Sequence, residues 1–215
     1  MNIEEYADCR FLRLCAISRP QGQLHLPTAI AAIEETFAFQ IVPTDIVQSS
    51  NAGLEFFHGS FDDVGIDKLT VFPDGLLVQS GASTGLIQAF MDRFMRWMEE
   101  EFELQFVETH ERHSLFESNI VFTSDRDPTA MGDRVVRLIE LIESKVNETS
   151  KLDCRYTTYG FRLHTDTNLI PGLKPIPFTV ERRLGSDFSQ NRYFSTAPLR
   201  SPDHIEILEH LESIS

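Results

Sequence analysis

Three short strings in the 215-residue chain put chemically capable side chains close together. In Gly81-Ala82-Ser83-Thr84-Gly85 a serine stands among small residues between an expected strand and an expected helix. It reads as an exposed hydroxyl on a sharp turn, or as a Gly-rich turn closed by a Ser or Thr helix cap. In Asp125-Arg126-Asp127-Pro128-Thr129 two carboxylates flank an arginine. Asp before Pro is ordinary helix-start chemistry, with the carboxylate capping free N–H groups and Pro fitting the first turn. In Glu108-Thr109-His110-Glu111-Arg112-His113 two imidazoles and two carboxylates invite a zinc reading. The histidines are three apart, however, where the helical H-E-x-x-H motif needs four, and no third ligand is evident, so a solvated polar connection is expected.

The string at 81–85 is a literal G-x-S-x-G and resembles the nucleophile elbow of the α/β-hydrolases. His58-Gly59 upstream resembles the oxyanion-loop dipeptide of some lipases. The resemblance implies a serine hydrolase with Ser83 as nucleophile, His204 as base and Asp187 as the acid. It covers five residues and departs from that family in its preceding strand, which belongs to a tight hairpin and not to a parallel sheet. The string at 125–129 resembles the D-x-D-x-T loop of haloacid-dehalogenase-type phosphatases. That resemblance implies a carboxylate attacking phosphorus with magnesium held by both acids, but Thr123 and Ser124 intervene and no later acidic pair completes the site.

No P-loop, dinucleotide fingerprint or calcium loop occurs, so neither a cofactor nor a metal is expected. A different kind of feature is the segment 178–200, where Arg182, Arg183, Arg192 and Arg200 lie with Phe188, Tyr193 and Phe194. Arg and aromatic residues are enriched at binding hot spots because each brings a large contact area with a polar handle. Such a ridge could meet the acids Glu99, Glu100 and Glu101 of a second copy; the alternative is packing within a β-rich C-terminal half. With no complete catalytic set, the leading expectation is a non-catalytic protein–protein interaction subunit that self-associates. A serine hydrolase is the alternative, and an acidic DNA mimic that blocks a nucleic-acid-binding protein is a third reading.

The charge balance agrees with protein partners. Nineteen Lys and Arg against 33 Asp and Glu give a net charge of −14, which repels phosphate backbones and anionic lipid. Direct nucleic-acid and membrane binding are therefore not expected. Cys9, Cys15 and Cys154 form no C-x-x-C pair and read as reduced thiols, Cys9 and Cys15 as small core or edge residues. The acidic start Met1-Asn2-Ile3-Glu4-Glu5 lacks the basic opening of a secretory signal, and no apolar window suits a bilayer, so a cytoplasmic location is expected.

The elements that must position these groups follow from periodicity. A strand is expected over 10–18, then a helix from Pro27 to about Ala38 with Ile30, Ile33 and Phe37 on one face. An antiparallel meander is expected over 54–80, turning at Pro73-Asp74-Gly75 with Gly75 at positive φ. A long helix should run from Thr84 to Glu103, and a second one, capped by Asp127, should line Val135, Leu138, Ile139, Ile142 and Val146 on one side. Strands are expected over 115–122, 155–164, 176–184 and 192–195, and a last helix capped by Ser201 with Ile205, Leu208 and Leu211 inward. The absence of regular β-α-β alternation predicts an α+β fold: a mainly antiparallel sheet with three or four helices largely on one face. Residues 1–215 are read as one domain, with at most a weak subdivision near 147–153.

Overall fold

The computed structural model describes residues 1–44, 53–107, 114–130, 132–150, 155–166 and 174–214. The first strands, β1 (Asn2–Tyr6) and β2 (Cys9–Leu14), lie along the same edge of one partner strand and are separated at Asp8, whose φ of 56° breaks the run. Short β3 (Ala16–Ser18) leads to helix α1 (Leu26–Phe37), which carries Pro27 in its first turn and is closed by left-handed Ala38. The expected meander is present as β4 (Leu54–Phe61), β5 (Val64–Phe72) and β6 (Gly75–Ser80). Helix α2 (Thr84–Phe102), β7 (Gln105–Val107) and β8 (Ser114–Thr123) follow. The chain continues through helix α3 (Asp133–Ser150), β9 (Gly160–Leu163), β10 (Phe178–Arg182), β11 (Arg192–Ala197) and helix α4 (Ser201–Ile214).

Nine strands form one antiparallel sheet in the order β4-β5-β6-β2-β8-β11-β10-β9, with β1 also on β8; β3 and β7 make a separate ribbon. This is the α+β class that the sequence predicts. Apolar residues of α1 (Ile30, Ile33, Phe37) and α2 (Ile87, Phe90, Phe94) pack on inward residues of the sheet such as Phe11, Phe56, Leu69 and Val78. Much of the Phe content is spent here. Phe37 meets Phe90 and Trp97 in near-perpendicular edge-to-face contacts at centroid distances of 5.5 and 5.1 Å, a geometry favoured by the aromatic quadrupole. A smaller cluster joins Leu208, Ile205 and Leu211 of α4 to Ile120, Phe122, Val180 and Tyr193, and Tyr6 touches both clusters. Cys9 and Cys15 are fully buried, while Cys154 lies outside the described residues. No described helix is long and apolar enough to cross a membrane.

Several local expectations are corrected by the packing. The turn between β5 and β6 forms at Pro73-Asp74, but Gly75 does not take a positive φ. A Cβ there would stand 2.7 Å from the Arg13 carbonyl oxygen, so glycine lets β6 approach β2. The β4–β5 hairpin instead uses two left-handed aspartates, Asp62 (φ 44°) and Asp63 (φ 65°), as a type I′ turn demands. Helix α3 begins at Asp133, and Asp127 caps only a short turn, accepting the Thr129 N–H at 2.9 Å. The possible subdivision starts inside α3, and residues 151–153 lie outside the described residues.

The ends of α2 and α4 interlock. Ser201 does not cap its own helix: its Oγ accepts the Thr84 N–H at 3.0 Å, while Thr84 Oγ1 accepts the Ser201 N–H at 2.7 Å. The Ser118 and Thr84 hydroxyls also lie within hydrogen-bond distance of Ser201 Oγ, at 3.1 and 3.2 Å. All three side chains are buried, so an alanine at 201 strands donors away from water. Ser201→Ala is expected to lower stability by about 2 kcal/mol, or roughly 6 °C in melting temperature. Ser83→Ala should change it by less than about 0.5 kcal/mol, since the Ser83 hydroxyl makes no cap bond. Thermal melts of the two variants side by side check both values.

Candidate functional site

The three residues of the expected hydrolase set do not meet. Ser83 occupies the N-cap position of α2, half-buried, with its carbonyl accepting from Leu86 and Ile87 N–H at 3.0 and 3.1 Å. His204 is fully buried in the first turn of α4, with Nε2 2.8 Å from Ser195 Oγ. Asp187 is exposed at the start of a short turn (Phe188–Gln190), and its Oδ1 accepts from Ser189 N and Oγ at 2.8 and 2.7 Å. Those bonds hold the Asp187 carboxyl below its ordinary range. Asp187 is thus spent as a local cap, and His204 points into the layer between α4 and the sheet.

The Ser195–His204 pair is itself a serine–imidazole contact, but its protons run the wrong way for nucleophilic catalysis. Ser195 Oγ donates its single proton to the Thr179 carbonyl at 2.7 Å. With that proton spent, the Ser195 contact calls for an Nε2–H donor on the imidazole, and Nδ1 makes no well-aligned hydrogen bond among the described residues. Burial pushes His204 down to about 4, with the nearby Ser118 carbonyl offsetting part of the shift. A neutral ring with Nε2 protonated, beside a serine that is also fully buried, braces α4 and has no basic nitrogen to offer that hydroxyl.

The string at 125–129 separates its two acids. Asp125 is exposed. Asp127 is a hub: Oδ1 accepts from Thr129 N, Thr129 Oγ1 at 2.6 Å and Tyr193 OH at 3.1 Å, and Oδ2 pairs with Arg182 at 2.5 Å. Burial by itself would raise its carboxyl, but these donors and the guanidinium outweigh it and hold it below the usual range. Tyr193 is pushed up to about 12 by burial and by the Asp127 charge. Among the described residues, no three His, Cys, Asp or Glu side chains gather as a metal-binding group; Glu108 to His113 lie outside them.

The same hub takes in Arg182, Tyr193 and Phe188 of the expected Arg/aromatic ridge. Arg182 is only 7% exposed, and its guanidinium lies 4.9 Å from the Phe188 ring and 5.2 Å from the Tyr193 ring. Arg183 lies over Phe194 at 5.5 Å and faces Glu5 at 3.8 Å; Arg192 pairs with Glu4 at 2.5 Å; Arg200 pairs with Asp203 at 3.1 Å. Tyr193 is fully buried, while Phe188 stays exposed. These bases face acids of their own chain. Glu99, Glu100 and Glu101 remain exposed on the last turns of α2.

Unspent contact area lies elsewhere, on α3. No described side chain of this 18-residue helix is buried. Val135, Ile139 and Val146 are half-buried, and Glu143 anchors the following segment by accepting the Tyr156 N–H at 2.7 Å. On the outer flank Leu138 and Leu141 are 53% and 57% exposed, with Ile142 beside them. Arg134, Leu138, Leu141, Lys145 and Glu148 recur at spacings of four, three, four and three residues, which aligns them as one seam. The periodicity puts Leu138 and Ile142 on one side with Val135, Ile139 and Val146, and leaves Leu141 off that side. The signal available was an excess: Val136 and Leu141 fall outside a single apolar stripe, so the helix has more aliphatic surface than one contact can cover.

No family model and no curated protein matches the chain.

Proposed function

We propose that this chain is a non-catalytic interaction subunit that associates with a second copy of itself through α3. The observation that carries the reading is the exposed seam of Leu138 and Leu141, bounded by Arg134 toward one end and Glu148 toward the other. A soluble surface seldom leaves such a contiguous aliphatic strip uncovered. Antiparallel pairing about Leu141 and Ile142 sets Arg134 of one copy beside Glu148 of the other at both ends, and lays the Lys145 stem over Leu138. Parallel pairing would set Arg on Arg and Glu on Glu. The charges therefore select one orientation.

An 18-residue helix is about 27 Å long, and two or three aliphatic side chains per copy make a small interface. Each contributes about 1.5–3 kcal/mol when fully buried, and association costs at least about 4 kcal/mol. The dimer should have a dissociation constant on the order of 10 µM. Sedimentation equilibrium across that range checks the value. Leu141→Glu is expected to leave a monomer, Arg134→Glu to weaken association about tenfold, and Arg134→Glu with Glu148→Arg to restore it. A native chain that stays monomeric at millimolar concentration, or a charge swap that restores nothing, overturns the reading.

A further inference from the structure

Between α1, α2, the β4–β6 meander and the β3–β7 ribbon lies a cavity of about 320 Å³, open on one side. Its walls include Ile30 and Ile33 of α1, Val71 and Leu76 of the meander, and Phe94 and Met98 of α2. Every lining side chain is a hydrocarbon, an aromatic ring or a thioether, with no charged group, hydroxyl or amide among them. Protein interiors rarely keep voids larger than a water molecule, and this one is walled by residues of the larger of the two hydrophobic clusters. Its volume falls at the lower end of the range for small-molecule sites, roughly 300–1,000 Å³. A dry cavity of about 150 Å³ lined by Leu, Ile and Phe accepts benzene. Twice that volume suits a molecule of about two rings or a medium alkyl chain.

We propose that this cavity binds an uncharged lipophilic small molecule. A carboxylate, phosphate or ammonium inside it would lose its hydration with no partner in the lining, so the occupant is recognised by shape and apolar area. The site is independent of α3 and of self-association, since none of its lining residues lies in that helix.

The test uses the full chain and N-phenyl-1-naphthylamine, an uncharged two-ring fluorophore with a phenyl arm. Saturable, one-to-one fluorescence enhancement is expected, with competition by 1-octanol. Ala29→Phe and Val71→Phe each project a ring into the cavity and should weaken uptake at least tenfold while keeping the native circular dichroism. Magnetisation transfer from bound probe to the Ile30 and Met98 methyl groups gives a second readout that needs no variant. Absence of saturable uptake by the native chain, unchanged uptake in a folded cavity-filling variant, or no transfer to those methyls overturns the proposal.

Discussion

Lowering the pH from 6.5 to 4 is expected to remove about 3 kcal/mol of folding stability through one residue, His204. Its imidazole has an ordinary value of 6.5 when the chain is unfolded and about 4 in the folded protein, where burial penalises the cation. Between those limits the unfolded state binds a proton that the folded state refuses, so stability rises with pH across the window. The contribution is fully present above pH 6.5 and is lost as pH falls toward 4, at about 1.4 kcal/mol per unit. Denaturant midpoints measured at half-unit steps check it. His204→Asn keeps a donor for Ser195 but cannot titrate, and should flatten the curve between pH 6.5 and 4. A slope that survives this substitution would assign the acid sensitivity elsewhere. Below that window Asp127 takes over: its carboxyl is held beneath the ordinary 3.8, so its contribution is present above that value and lost as pH falls through the folded one.

Asp127→Ala is expected to destabilise the chain by about 3 kcal/mol, with a fall of roughly 10 °C in melting temperature. The cause is what it leaves behind. The Arg182 side chain is 9% exposed and ion-paired to Asp127, and without that partner its cation sits on two aromatic faces and the Phe188 carbonyl alone. Breaking one half of a desolvated pair costs more than removing both halves. The double variant Asp127→Ala with Arg182→Met should therefore be more stable than Asp127→Ala alone, by at least about 1 kcal/mol. Chemical denaturation of the two singles and the double gives the coupling directly. A double variant less stable than Asp127→Ala would mean that Arg182 acts through packing and not through its charge.

How much of this was legible in the sequence depended on whether a residue's partner was local. The β4–β6 meander was readable because its turn chemistry and alternation lie within a few residues of each other, and the apolar faces of α1 and α2 repeat at helical spacing. Asp127 misled because Asp-Pro describes a helix start equally well whether or not the helix follows at once; its real partners, Arg182 and Tyr193, are 55 and 66 residues away. Ser201 looked like its own helix's cap and instead serves Thr84, 117 residues distant. The Arg/aromatic segment 178–200 stands out in the sequence, but the acids that pair with Arg183 and Arg192 are Glu5 and Glu4, on a strand that no apolar alternation announces. Outward Glu4 and Glu5 masked the apolar Ile3 and Tyr6 of β1. The seam on α3 was in view as periodicity, but a count of aliphatic positions says how much surface must be covered and not whether it is covered from inside or outside.

The position of β8 has a consequence for synthesis. Its one edge holds β1 and β2 and its other holds β11, and the thiol of Cys9 reaches the Asn119 carbonyl across a separation of 110 residues. At roughly 5–20 residues per second the first strands wait on the order of ten seconds for the strand that pairs them. Throughout that interval they are open hydrogen-bonding edges, and the acids Glu4, Glu5 and Asp8 that line them are the charges that discourage premature pairing with a neighbouring nascent chain.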